Sequence, residues 1–330
     1  MDKIKTILMG TPEFAEKIFR KFRPWADQPR AGYQFEIVAV VTAQDKPVGR
    51  KQELTPSPVK KWAVGANLSV LQPDKIRNPE WVTKIKELNP DLIILTAYGQ
   101  IIPQEILDIP KYKALNIHPS LLPRYRGASP IQSVILNGEK ETGVCLMIMD
   151  AGMDHGPIIA NSKFEIRNSK ITYNELADQL ADLGAELLVK TLPDYIEGKI
   201  KAQPQDHEKA TFCRLIKKED GKIDWNKSAE EIERQIRAFA EWPTAYTGIE
   251  NQESRIMNLK ILEADFENPS TKLGTSKKIG EVFFTEQKEL AVQTGNGILI
   301  LKQVQPEGKK SMSSRDFLNG HPEIVGTILN

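Results

Sequence analysis

The chain has 330 residues, 45 Lys/Arg against 44 Asp/Glu, four histidines and two cysteines. That length is enough for two domains with separate cores, and a net charge of +1 excludes bulk electrostatic attraction as the means of holding a polyanion. Cys145 and Cys213 offer no disulfide framework; MDKIKTILMG is no secretory leader, and the apolar runs fall short of a membrane span, so a cytoplasmic protein with no membrane partner is expected.

Strand and helix signals alternate through the first half. Ile4–Met9 reads as a buried strand, broken by GTPE and followed by a helix from about Pro12 with Phe14, Ile18 and Phe22 at helical spacing. Phe35–Thr42 is a second strand. A short helix near Pro58–Val64, a strand around Leu68–Leu71 and a helix over Pro79–Leu88 come next. Asp91–Ala97 and Ala114–His118 are strands, Pro130–Asn137 a helix, Thr142–Met149 a strand and Tyr173–Thr191 a long amphipathic helix. The alternation predicts an α/β fold: a doubly wound, mostly parallel sheet. The second half changes to short strands between turn residues, with one helix at Ser228–Phe239, a pattern that predicts a small β-barrel. The expected organisation is a catalytic domain over 1–200, a polar linker over 201–211 and the barrel over 212–330. From residue 205 onward there are 18 Lys/Arg against 20 Asp/Glu, a net of −2, so neither half is a basic domain.

Ligands of an open parallel sheet bind where loops leave the carboxyl ends of its strands. Asn116 and His118 stand at such an end and, two apart on a strand, share a side. Asp154, in the loop after Thr142–Met149, can join them from a neighbouring strand. An amide and an imidazole form a donor pair for an oxygen that gains negative charge, and a carboxylate beside the imidazole holds its orientation. Neither a GxSxG elbow nor a paired Cys–His offers a nucleophile, which favours direct attack by a substrate nucleophile on a carbonyl. The competing reading makes His118 a core histidine bonded to backbone, and the residues alone leave the two open. GTPEFA is not a dinucleotide fingerprint, no GxxxxGK[ST] phosphate loop occurs, and no metal-ligand spacing is present, so no metal is expected.

The motifs MGTPEFA, PVGRKQELTPSPVK, AYGQIIP, LNIHPSLLPRYRGASPIQ, ETGVCLMIMDAGMDHGPI, DWNKSAEEIERQIRAF with WPTAY, and GKKSMSSRDFLNG together resemble the methionyl-tRNA formyltransferase family over nearly the whole chain. The resemblance implies a formyltransferase-type, Rossmann-like catalytic domain followed by an OB-like barrel that holds tRNA. It implies transfer of a formyl group from 10-formyltetrahydrofolate, as co-substrate, to the α-amino group of initiator methionyl-tRNA, in support of translation initiation. Asn116 and His118 would stabilise the oxyanion; Asp154 would orient His118 and help relay the proton. The segment Ser120, Leu121, Leu122 and Pro123 would border the folate, with Ile101 and Ile102 as apolar walls, and Arg124 and Arg126 suit anions. The loop Asp45–Lys61 would engage the acceptor end of the tRNA through Lys46, Arg50 and Lys51, and Lys217 and Lys309 are candidate contacts on the barrel. The chain reads GRKQE where the family often has GRGKK, with a glycine missing and less positive charge. A monomer is expected. Formyltransferases acting on a purine-pathway ribonucleotide or an amino-sugar, and a formyltetrahydrofolate hydrolase using the same three polar residues on water, are the enzymatic rivals. A noncatalytic RNA-binding module is the rival of another class, against which the intact Asn116, His118 and Asp154 set speaks.

Overall fold

Strand β1 (Asp2–Met9) opens the computed structural model, whose described residues are 2–29, 32–49, 52–250, 256–268 and 277–330. Helix α1 (Glu13–Ala26), strand β2 (Tyr33–Val41), a hairpin of β3 (Lys46–Val48) and β4 (Glu53–Thr55), helix α2 (Pro58–Gly65) and strand β5 (Val70–Leu71) follow. Then come α3 (Pro79–Leu88), β6 (Leu92–Leu95), α4 (Gln104–Leu107), β7 (Ala114–His118), β8 (Arg126–Gly127), α5 (Pro130–Leu136), β9 (Glu141–Ile148), β10 (Ile158–Glu165), α6 (Tyr173–Ile196) and β11 (Phe212–Cys213). Two compact units contain these elements and the rest of the chain. The first comprises Met1–Pro130, Glu141–Ile166 and Ala177–Arg214; the second comprises Ile131–Lys140, Arg167–Leu176 and Leu215–Asn330.

The main sheet of the first unit has seven strands in the order β10-β9-β7-β6-β1-β2-β5. From β7 to β5 the strands are parallel, as their apolar sequences predict; β9 runs antiparallel to β7, and β10 antiparallel to β9. On one face α3 and α4 bury Ile85, Ile106 and Leu107 in a cluster with Ile7, Met9, Val41, Ile93, Leu95 and Ala114. Because side chains alternate along a strand, Asn116 and His118 share the face of Ala114. The opposite face carries α6, drawn close by Gly184: a Cβ there would stand 3.0 Å from the Ile117 side chain. Local signals mark the helix ends. Ser57 caps α2 by accepting from the Lys60 N–H, and Asn89 closes α3 in the left-handed region at φ 44°.

The second unit carries α7 (Ala229–Ala238), then β12 (Ala245–Glu250), β13 (Ile256–Glu267), β14 (Val282–Phe284), β15 (Leu290–Gln293), β16 (Ile298–Pro306), β17 (Met312–Ser313) and α8 (Ser314–Gly320). These strands form one antiparallel sheet, ordered β12-β13-β16-β15-β14 with β17 on β16, the OB-like architecture expected. Residues 326–330 fill the space between its two ends. Val282 exchanges backbone hydrogen bonds with Gly326 and Thr327, Leu329 donates to Gly280, and Asn330 exchanges a pair with Gly248 of β12. Gly280 permits this closure, since a Cβ there would lie 2.8 Å from the Leu329 carbonyl oxygen. Inside, Trp225, Ile232, Leu259, Val292, Leu301 and Phe317 form one buried cluster. Ser228 and Glu231 cap α7 reciprocally, the capping box that their spacing encodes. Among the described residues, no helix is long and apolar enough to cross a membrane.

Candidate active site

Asn116 and His118 are 8% and 4% exposed on β7, and both turn toward Asp154. The Asn116 amide donates to Asp154 Oδ1 at 3.4 Å, and His118 Nδ1 stands 3.6 Å from the same oxygen. Asp154 Oδ2 accepts the Gly127 backbone N–H at 2.7 Å. The three polar side chains therefore converge within the first unit. Asp154 arrives by an unexpected route, however. With β9 antiparallel to β7, Leu115 pairs with Ile148 and Met149 donates to Ala114, so the loop after β9 leaves beside the start of β7. It reaches Asn116 by folding back across the sheet face rather than from beyond the strand's carboxyl end.

The two readings of His118 turn out to describe its two nitrogens. Nε2 lies 2.9 Å from the Tyr125 carbonyl oxygen, which can only accept, so Nε2 carries a proton. Nδ1 is the nitrogen turned to Asp154, and it can donate only when the ring holds a second proton. Asp150, four residues before Asp154, is engaged elsewhere: its carboxylate accepts from His155 Nδ1 at 2.7 Å and from the Gly152 N–H at 2.9 Å.

The loop after β7 is held from several sides. Ser120 is fully buried and its hydroxyl donates to the Arg124 carbonyl at 2.7 Å. The Leu122 N–H points at Cys145 Sγ, 3.3 Å away, and the Leu122 side chain packs with Cys145 and Met147. Leu121 lies against Gly143, where a Cβ would meet its Cδ2 at 2.6 Å, and a cis peptide joins Leu122 to Pro123. Gly127 has φ +111°, and a Cβ there would sit 2.3 Å from the Cys213 carbonyl oxygen, so only glycine presents its N–H to Asp154. Burial pushes the Cys145 thiol up to about 12.

The remaining expected residues are spread out. Ile101 is 89% exposed, whereas Ile102 is buried in the core cluster with Leu95, Tyr98 and Ile106. Arg126 is no surface anion contact: it is 3% exposed, and its guanidinium donates to Gln205 and His207. Arg124 is exposed, its guanidinium over the Tyr125 ring. Part of the expected basic loop is the β3–β4 hairpin, with Lys46 exposed at its start. At its base Lys60 pairs with Asp45 at 2.7 Å, which holds that carboxyl below its ordinary range and takes Lys60 out of the free basic charge. Arg50 and Lys51 lie outside the described residues. Lys217 and Lys309 are exposed in the second unit.

Residues 201–211, read from sequence as a linker, are built into the first unit. Gln203 pairs with Ile158, Gln205 and His207 bind Arg126, and Thr211 Oγ1 accepts the Tyr125 N–H at 2.8 Å. Nothing in the polar composition of this stretch signals that engagement.

Comparison with known proteins gives the site its context. A model of the formyl transferase family matches residues 3–192, and one of the formyl transferase C-terminal domain matches 215–322. The chain is 40% identical to the methionyl-tRNA formyltransferase of Sulfurihydrogenibium sp. (strain YO3AOP1), over 98% of this chain and 99% of that protein. It is also 40% identical to that of Bacillus subtilis (strain 168), over 98% and 97%. Among solved structures, an N-formyltransferase from Helicobacter canadensis in complex with folinic acid and dTDP-3-aminofucose superposes with a TM-score of 0.59 at 23% identity, covering 90% of this chain and 99% of that one. At that identity the likeness speaks for the fold alone.

Proposed function

The chain belongs to the methionyl-tRNA formyltransferase family, and from that premise we propose that it transfers the formyl group of 10-formyltetrahydrofolate to the free α-amino group of methionyl initiator tRNA. The observation that carries this reading is the turning of Asn116 and His118 toward one oxygen of Asp154. An amide N–H and an imidazole nitrogen side by side fit the oxygen of a small acyl group. As the amine adds to the formyl carbon, that oxygen becomes an anion, and donors held in place beforehand stabilise it without reorganising.

The roles follow from atoms. Asn116 Nδ2 is one donor. His118 Nδ1 becomes the second once it holds a proton, because Nε2 is committed to Tyr125. Asp154 supplies the countercharge to that imidazolium and a path for the proton that the amine loses. Ser120, Leu121, Leu122 and Pro123 border the folate, with Ile101 as the exposed wall and Ile102 behind it in the core. Lys46 at the hairpin, with Arg50 and Lys51, contacts the tRNA acceptor end; Lys217 and Lys309 contact the tRNA from the second unit. We place the enzyme in the cytoplasm as a monomer and assign no role to a metal.

A coupled assay with 10-formyltetrahydrofolate tests the reading. Tetrahydrofolate should appear only when initiator methionyl-tRNA is supplied, in step with formylated product. Tetrahydrofolate formed without tRNA would make the chain a hydrolase and overturn the proposal.

A further inference from the structure

The turn that delivers Asp154 is under conformational load. Asp154 is not glycine, yet it adopts φ 46°, in the left-handed region where a side chain is disfavoured. Its side-chain bonds to Gly127 and Asn116 orient the carboxylate but do not fix the backbone that carries it.

That backbone is held by Gln205. The Gln205 amide nitrogen donates to the Asp154 carbonyl at 2.9 Å and to the Gly156 carbonyl at 2.7 Å, gripping the turn on both sides of His155. Gln205 Oε1 accepts from Arg126 Nε at 3.1 Å and from Nη2 at 2.6 Å. Both amide hydrogens and both lone pairs are thus used, and Gln205 and Arg126 are 6% and 3% exposed. Two carbonyls on one side and a guanidinium on the other permit only one orientation of the amide. Arg126 Nη2 also reaches His207 Nδ1 at 2.9 Å, and the His207 ring stacks on His155 at 4.0 Å. Gln205 is therefore the centre of a closed polar network, and a closed network defines one geometry.

We infer that Gln205 is a positioning residue for formyl transfer, acting through Asp154. It holds the turn so that Oδ1 stays within reach of Asn116 and His118. This rests on the reading of Asp154 given above. Gln205 touches no reacting atom, so its contribution lies in placement, where a displacement of about 1 Å costs on the order of a hundredfold in rate.

The deciding variant is Gln205→Glu. It keeps an oxygen for Arg126 but replaces the donor to the two carbonyls with an acceptor, releasing the turn alone. We expect kcat to fall between about tenfold and a hundredfold, with KM for folate and tRNA within about twofold of wild type. In an Asp154→Asn background the same change should cost nothing further, because a mispositioned group that no longer acts cannot lose rate again. Gln205→Ala should show the same kcat loss plus a lowered melting temperature, for want of a partner to Arg126; should it fold poorly, Gln205→Glu still decides. Wild-type kcat in Gln205→Glu, or losses that multiply with Asp154→Asn, would overturn the inference. Wild-type kcat in Asp154→Asn alone would instead remove the Asp154 reading beneath it.

Discussion

Replacing Asp154 by Asn changes almost no volume and removes one charge, which makes it the sharpest test of the site. The Asn carbonyl oxygen can still accept the Gly127 N–H, now 2.7 Å from Asp154 Oδ2. Its NH2 then faces the Asn116 amide and His118 Nδ1, where the carboxylate oxygen had stood 3.4 and 3.6 Å away. What disappears, on the proposed mechanism, is the attraction between that oxygen and the imidazolium that the mechanism calls for. At 3.6 Å and an effective dielectric constant of about 20, the attraction amounts to roughly 4.6 kcal/mol, or about two-thousandfold in rate. Because the proposed donation from His118 Nδ1 to the oxyanion requires the charged ring, the loss should fall on kcat and leave KM for both substrates little changed. Single-turnover formylation at saturating tRNA reads this directly, with Asp150→Asn as companion. Asp150 serves His155 and the Gly152 N–H, so its variant should retain activity within about threefold. A kcat for Asp154→Asn within tenfold of wild type, or a reversed ranking of the two variants, would refute the reasoning.

Three further expectations concern the frame around the chemistry. Glu233, only 3% exposed, pairs with Arg237 at 2.8 Å and with Lys170 at 3.1 Å; Glu233→Gln leaves buried charge without its partner and should destabilise the second unit by about 3–5 kcal/mol in chemical denaturation. A loss below about 1 kcal/mol would contradict this. The Lys170 ammonium, hydrogen-bonded to Asp265, holds that carboxyl below its ordinary value of 3.8. Its stabilisation should be complete above that value and vanish as pH falls through the lowered one, so the melting-temperature gap between wild type and Asp265→Asn should close below about pH 4. A gap that does not narrow as the pH falls below 3.8 would point to another cause. Finally, the Cys145 thiol, driven by burial up to about 12, should resist alkylation in the native protein at pH 8 and react only after unfolding, as mass spectrometry of the labelled peptide would reveal.

The elements that were legible in the sequence are those whose signals are local. Helix α3 begins at Pro79 and ends before Asn89 because proline fits a first helical turn and asparagine tolerates the left-handed cap. The common side of Asn116 and His118 follows from strand alternation alone. What escaped depends on distant partners. From Ala160 onward strand β10 alternates part-buried and exposed residues at the sheet edge, so IIANSKFE carries no continuous apolar run. The antiparallel direction of β9 has no local mark, which is why the route of the Asp154 loop was unforeseen. Arg126 resembles an anion contact in sequence, and only the fold reveals that Gln205, 79 residues later, occupies its guanidinium. The proton-bearing nitrogen of His118 likewise depends on the Tyr125 carbonyl, seven residues away across a loop.

The pairing of residues 326–330 with Val282, Gly280 and Gly248 has a consequence for biosynthesis. A polypeptide emerging N-terminus first completes β12 through β17 before this clasp exists; Ile223 already covers the β12 rim at Tyr246, but Gly248 and the rim at Gly280 and Val282 wait as unpaired hydrogen-bonding edges. A premature stop upstream of Gly326 makes that waiting state permanent. Its signature would be intermolecular strand addition and insoluble product, not a soluble protein of reduced stability.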